Sequence, residues 1–152
     1  MLRHKEFDVA EMSLSSYAVS LFSAARPFIA IPIFPSRFFR HSCIYVNAAA
    51  GIKEPRDLIG KRIGNPEYQM TAPAWIRGIL QDEYAVPVDS VTYCTGGEEE
   101  PGRPEKLKHD LPPNITVERI GPKPAVAPVV AHGDTEARCT APTRPSLTTR
   151  RR

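Results

Sequence analysis

Lys61-Arg-Ile-Gly-Asn-Pro-Glu-Tyr68, Thr71-Ala-Pro-Ala-Trp-Ile-Arg-Gly-Ile-Leu-Gln-Asp-Glu-Tyr84 and Pro87-Val-Asp-Ser-Val-Thr-Tyr93 follow one another with short joins. The first reads as a strand running into a turn. In the second, Trp75, Ile76, Ile79, Leu80 and Tyr84 recur at intervals of three and four, the spacing of a helix face, while Arg77, Gln81 and Asp82 are placed to face water. Pro73 falls in the first turn, where its missing N–H is no loss. The third segment predicts another strand. A helix of this length between two strands is a crossover, which joins parallel neighbours and argues for an α/β fold with a mostly parallel sheet.

Upstream, Phe7–Met12 reads as a short strand, and the serines from Ser13 open a helix with a serine as N-cap. Val19, Leu21, Phe22 and Ala25 are expected to form its apolar face, and Pro27 to stop it. Phe28-Ile-Ala-Ile-Pro-Ile-Phe34 is dense enough in apolar residues for a strand buried on both faces. Cys43–Val46 predicts another strand, and Ile52–Leu58 a short helix closed by Gly60. Downstream, Ile115–Ile120 completes the strand set. After Gly121 periodicity is lost among prolines, threonines and arginines, and disorder is expected. The domain reading is one α/β region over 1–121 and a Pro/Arg-rich tail over 122–152.

Composition narrows the function classes. Sixteen of 152 residues are proline, about twice the average of roughly 5 %, which excludes a long helical bundle. The net charge is +3, but five of the twenty basic residues lie in 138–152, a stretch without acids. Residues 1–137 carry fifteen basic against seventeen acidic side chains, so the folded region lacks the basic excess of a nucleic-acid binder. Cys43, Cys94 and Cys139 form no CxxC pair and no metal-ligand spacing, so no structural metal and no disulfide scaffold is expected. No run approaches the roughly 18 apolar residues of a membrane span. A cytoplasmic location is the default, replaced by a periplasmic one if a full-length relative carries a signal peptide.

Four loops cluster polar groups where α/β sheets bind ligands, beyond strand ends. Ser13, Ser15 and Ser16 bring hydroxyls to a helix N-terminus, which suits an anion as well as plain capping. Phe34-Pro-Ser-Arg-Phe-Phe-Arg-His41 offers Arg37, Arg40 and His41 beside aromatic rings. It reads either as a clamp for a planar aromatic acid or as a solvated basic turn. Glu67-Tyr-Gln-Met-Thr71 opens the best helix, and Thr95-Gly-Gly-Glu-Glu-Glu-Pro-Gly-Arg103 pairs glycines with glutamates. No GxSxG, P-loop, GxGxxG or HExxH pattern occurs, and no cofactor motif is visible.

EFDVAEMSLSSY, IPIFPSRFFRH, GIKEPRDLIGKRIGNPEYQMTAPAWIRGIL and TGGEEEPGR resemble the 4,5-dihydroxyphthalate decarboxylase family. That family is related to substrate-binding proteins of ABC transporters. The resemblance covers about residues 1–121 and implies a two-lobed, type II periplasmic-binding-protein-like fold, here incomplete. Members of the family are considerably longer, so the chain is read as a truncated member whose own activity is left open. The implied activity is that of a carboxy-lyase: non-oxidative conversion of an aromatic dicarboxylate to protocatechuate and CO2, without a cofactor. Its implied partner is a small aromatic or other anionic carboxylate, with no nucleic acid and no membrane insertion, and oligomers are left open. Under this reading Arg37 and Arg40 clamp carboxylate, His41 donates the proton, and Ser13, Ser15, Ser16, Tyr68, Gln69 and Thr71 bind substrate. The rival reading is an ABC-transporter binding protein that captures a small anion with the same groups.

Overall fold

The computed structural model describes residues 6–36, 38–96, 110–121 and 137–139. Its centre is the strand–helix–strand unit expected from the sequence. Strand β2 (Arg62–Asn65) leads into helix α2 (Thr71–Tyr84), which returns the chain to β3 (Thr92–Thr95). Strand β1 (Ile44–Val46) precedes this unit, and β4 (Thr116–Arg119) and β5 (Ala137–Cys139) follow it. The five strands form one sheet in the order β1-β5-β2-β3-β4. All neighbours run parallel except β1 and β5, so the sheet is mixed and mostly parallel. Ile63 pairs with Tyr93 on one side and Ala137 on the other.

Strand β5 is a departure from the sequence reading, which counted these residues to a disordered tail. Three residues are too few for periodicity to announce them. Their place is set by both neighbours, since β5 fills the gap between β1 and β2 and is buried throughout. The other residues of 122–152, apart from Gly121 before them, lie outside the described ones.

The core comprises Leu58, Ile63, Ile76, Leu80, Val91 and Tyr93, closed by Cys43, Val86, Ala137 and Cys139. Helix α2 turns Ala72, Pro73, Ile76 and Leu80 to this core. Its expected apolar face is divided, because Trp75 and Ile79 line a cleft on the helix flank. The helix ends with Ala85 in the left-handed region at φ 54°, and the Val86 N–H donates to the Leu80 carbonyl at 2.9 Å. Ile52–Leu58 is shorter than expected, a single 3₁₀ turn over Pro55–Leu58, with Gly60 at φ 75° behind it.

The N-terminal segment differs most from expectation. Helix α1 (Leu14–Ser20) forms, but Leu21, Phe22 and Val19 point outward, with Phe22 93 % exposed. Among the described residues Phe7–Met12 pairs with no strand, and neither does Phe28–Phe34. The second run is broken at Pro32, which supplies no N–H, and the Ile33 N–H turns back to the Ile31 carbonyl at 2.7 Å. A strand needs neighbours for its backbone groups, and hydropathy alone provides none. Ile29, Ile31, Ile33 and Phe34 are consequently exposed rather than buried on both faces.

Candidate functional site

A cleft of about 1210 Å³ opens between the 7–17 segment, the 27–41 segment and one flank of α2 from Thr71 to Glu83. It exceeds the roughly 300–1,000 Å³ common for small-molecule pockets, so a single-ring ligand would occupy only part of it. The broken apolar run Phe28–Phe34 thereby becomes a wall of the cleft instead of a core strand. Tyr17 ties this wall to α1, its hydroxyl accepting from the Ala30 N–H at 3.3 Å. Sequence reasoning passed over this tether, which no local pattern signals.

The floor is built by the turn between β2 and α2. Every residue from Ile63 to Gln69 is buried, because β2 lies inside the sheet and the turn is covered by α2. Glu67 is 1 % exposed and Gln69 6 % exposed, and both line the cleft. Both amide atoms of Gln69 lack a hydrogen-bond partner among the described residues. Glu67 is absent from the sequence-based site set; a carboxylate in a turn reads as solvated until the covering helix is placed.

The serine loop is used differently from the expectation. The Ser13 hydroxyl makes no cap bond to its own helix. It meets the Thr71 hydroxyl at 2.5 Å, and Ser15 reaches the same oxygen with its N–H and its hydroxyl, each at 3.2 Å. These groups join the start of α1 to the start of α2. Ser13, Ser16 and Thr71 line the cleft; Ser15 is not in its lining. Tyr68 is turned away as well, buried edge-on against Tyr93 at 5.3 Å between ring centres. Arg77, expected to face water, covers Tyr68: its guanidinium lies 3.9 Å from the ring centre and donates to the Tyr68 carbonyl at 2.9 Å.

Arg40 and His41 both reach the cleft. The Arg40 guanidinium lies 5.4 Å from the centre of the Phe38 ring. His41 Nε2 is 3.0 Å from the Glu83 carboxylate near the end of α2, and both side chains are about half exposed. A carboxylate only accepts, so the imidazole donates through Nε2 and its ring is oriented by the helix. Arg37 lies outside the described residues. Acids also line the cleft: Asp8, Glu11, Glu67 and the Glu83 that holds His41. The arrangement offers the Arg40 guanidinium and the His41 imidazole as donors on the 27–41 wall, and buried amide and carboxyl groups on the floor.

Among the described residues no group of three or more His, Cys, Asp or Glu side chains could hold a metal ion, and no helix is long and apolar enough to cross a membrane. The three cysteines are buried free thiols, and burial pushes Cys139 up to about 12.

The chain is 43 % identical to 4,5-dihydroxyphthalate decarboxylase of Pseudomonas putida over 135 residues, 89 % of this chain and 52 % of that enzyme. It is 43 % identical to the enzyme of the same name from Comamonas testosteroni over 132 residues, 87 % of this chain and 40 % of that one. The chain is related to the 4,5-dihydroxyphthalate decarboxylases. It spans about half the length of these curated relatives or less. No family model matches it. The similarity to the two decarboxylases runs well beyond one motif, since it takes in nearly nine-tenths of the chain.

Proposed function

We propose that the chain binds 4,5-dihydroxyphthalate and contributes to its non-oxidative decarboxylation to protocatechuate and CO2. The observation that carries this is the 43 % identity to two decarboxylases of that substrate along most of the chain. The cleft supports it with aromatic walls for a ring and with Arg40 as a carboxylate partner. The finer fold assignment, a type II periplasmic-binding-protein-like fold, follows from the same resemblance and is compatible with a mostly parallel sheet.

The chemistry requires no free aryl anion. One ring hydroxyl lies para to the departing carboxylate. Protonation of the carbon bearing that carboxylate, with loss of the hydroxyl proton, yields a dienone. The bond to the carboxylate then breaks, CO2 leaves, and the electron pair restores the aromatic ring. The hydroxyl oxygen regains its proton. In this proposal Arg40, joined by Arg37, holds carboxylate, and His41 delivers the proton to the ring, oriented by Glu83. The proposal keeps Ser13, Ser16, Gln69 and Thr71 as substrate contacts, since they line the cleft, and leaves out Ser15 and Tyr68, which do not.

The test is calorimetry of the chain with 4,5-dihydroxyphthalate, with CO2 and protocatechuate measured in the same sample. Turnover that falls at least ~100-fold in His41→Asn supports the proposal, as expected for removal of a general acid. Absence of both binding and turnover by the folded chain overturns it.

A further inference from the structure

We infer that Gln69 and Glu67 form the subsite for the ring hydroxyls of a catechol-type ligand, so that the floor of the cleft selects hydroxylated rings and the 27–41 wall holds the carboxylates. This deepens the proposed function and rests on its choice of an aromatic ligand. The starting observation is a buried primary amide that has no partner. Gln69 is 6 % exposed, its Nε2 and Oε1 are both unmet among the described residues, and its side chain borders the cleft. Buried amides are nearly always satisfied, and an orphan at a cleft wall is a group arranged for what enters the cleft.

The chemistry of the two side chains chooses between ligand groups. Gln69 presents one donor face and one acceptor face. A carboxylate could satisfy Nε2 but would leave Oε1 unmet, and it would lie beside the Glu67 carboxyl, which is 1 % exposed in the same lining. A hydroxyl donates and accepts, so it can meet both faces of the amide. A second hydroxyl on the adjacent ring carbon can donate to Glu67. Two neighbouring hydroxyls therefore match this floor better than any anion. The carboxylates of the ligand are then left to Arg40, whose charge they complement.

Calorimetry of the chain with catechol, phthalate and 4,5-dihydroxyphthalate separates the assignments. Gln69→Leu keeps the approximate volume and removes both hydrogen-bonding faces. It is expected to weaken 4,5-dihydroxyphthalate and catechol by about tenfold or more, as when a ligand hydroxyl loses its buried partners, and to leave phthalate within about twofold. Arg40→Gln should weaken both dicarboxylates and spare catechol. If Gln69→Leu does not fold, Glu67→Gln, which replaces an acceptor oxygen by a donor, must show the same selective loss. Equal weakening of phthalate and its dihydroxy analogue, or no change in either, overturns the subsite. Catechol binding lost in Gln69→Leu, with no dicarboxylate bound by the wild type, upholds the subsite and removes the proposed substrate. A wild-type chain that binds neither catechol nor the dihydroxy compound overturns the subsite outright.

Discussion

Arg77 covers the ring of Tyr68 at 3.9 Å and donates to the carbonyl of the same residue at 2.9 Å. One guanidinium thus grips both the side chain and the backbone of the turn that carries Glu67 and Gln69. The grip spans the join between β2 and the second turn of α2, so it fixes the cleft floor to the helix.

Arg77→Lys should therefore be destabilising although it conserves charge. An ammonium lacks the planar face that stacks on the ring and cannot hold the same two contacts at once. The expected loss is about 1–2 kcal/mol, from one charge-assisted hydrogen bond and one cation–π contact partly replaced. A chain of this size should show a melting temperature lower by roughly 2–4 °C per kcal/mol. An unchanged melting curve would mean that the contact adds nothing beyond its solvated alternative.

Ala85→Gly should stabilise the chain. Ala85 holds φ 54° just past the last residue of α2, a conformation that costs an L-residue roughly 1–2 kcal/mol. Glycine removes that cost and adds unfolded-state entropy of about 0.4–1 kcal/mol. The balance is a gain of about 0.5–1 kcal/mol, readable as a higher urea midpoint with an unchanged slope.

Gly96→Ala should act in the opposite direction. A Cβ at position 96 would stand 3.0 Å from the Cβ of Ile120, an atom tied closely to the backbone. The Ile120 N–H donates to the Thr95 carbonyl at 2.7 Å, so moving Ile120 away strains the end of the β3–β4 pair. The expected loss is about 1–3 kcal/mol, as for overpacking elsewhere. Comparison of urea midpoints for the two proteins checks it.

The thiols should be silent in the native chain. Cys43, Cys94 and Cys139 are all buried, and burial pushes Cys139 from 9.0 up to about 12. A thiol-specific chromogenic reagent at pH 8 should label none of them quickly and all three after urea unfolding. The same shift fixes a sign for alkaline stability. The folded chain holds this proton more tightly than the unfolded chain, so the contribution is complete below about 9.0 and is lost as pH rises toward about 12. Cys139→Ala should flatten the alkaline arm of the stability profile.

Acid acts through a different group. The Asp57 carboxylate accepts from the backbone N–H groups of Lys53 at 2.8 Å and Glu54 at 3.0 Å, and these bonds hold it below the usual carboxylate range. Its contribution is present above the ordinary value of 3.8 and is lost as pH falls through the lowered folded value. Asp57→Asn should reduce the acid sensitivity of the 3₁₀ turn at Pro55–Leu58, seen as a smaller stability difference between neutral and strongly acidic buffer.

Legibility followed the range of the interactions. Helix α2 was read at both ends, since its periodicity, its early proline and its flanking turns are local properties of fourteen residues. Strands β1, β2 and β4 overlap their expected segments closely for the same reason, whereas the strand expected at Pro87–Tyr93 begins only at Thr92, after a 3₁₀ turn over Val88–Ser90. Phe28–Phe34 misled because apolar content reports a need for burial and not the partner that provides it. Arg77 misled in the other direction: at a solvent-facing helical position, it found an aromatic ring and a carbonyl that only the turn at 66–70 brings near.

The candidate site divides along the same line. Arg40, His41, Gln69 and Thr71 were recognisable as polar residues near strand ends and a helix start, and the structure brings them to one cleft. Glu83 and Tyr17 were not, because their roles depend on residues 42 and 13 positions away in the chain.

What the amino-acid sequence determined by itself is the strand–helix–strand unit, the mostly parallel sheet and the relation to the decarboxylases. Those follow from hydrophobic period, turn residues and extended similarity, each carried by contiguous stretches. Tertiary structure alone decided that Ala137–Cys139 completes the sheet, that an apolar run walls a cleft, and that Gln69 is buried with its amide unmet. Burial and hydrogen-bond satisfaction belong to pairs of segments distant in the chain, and no single segment encodes them.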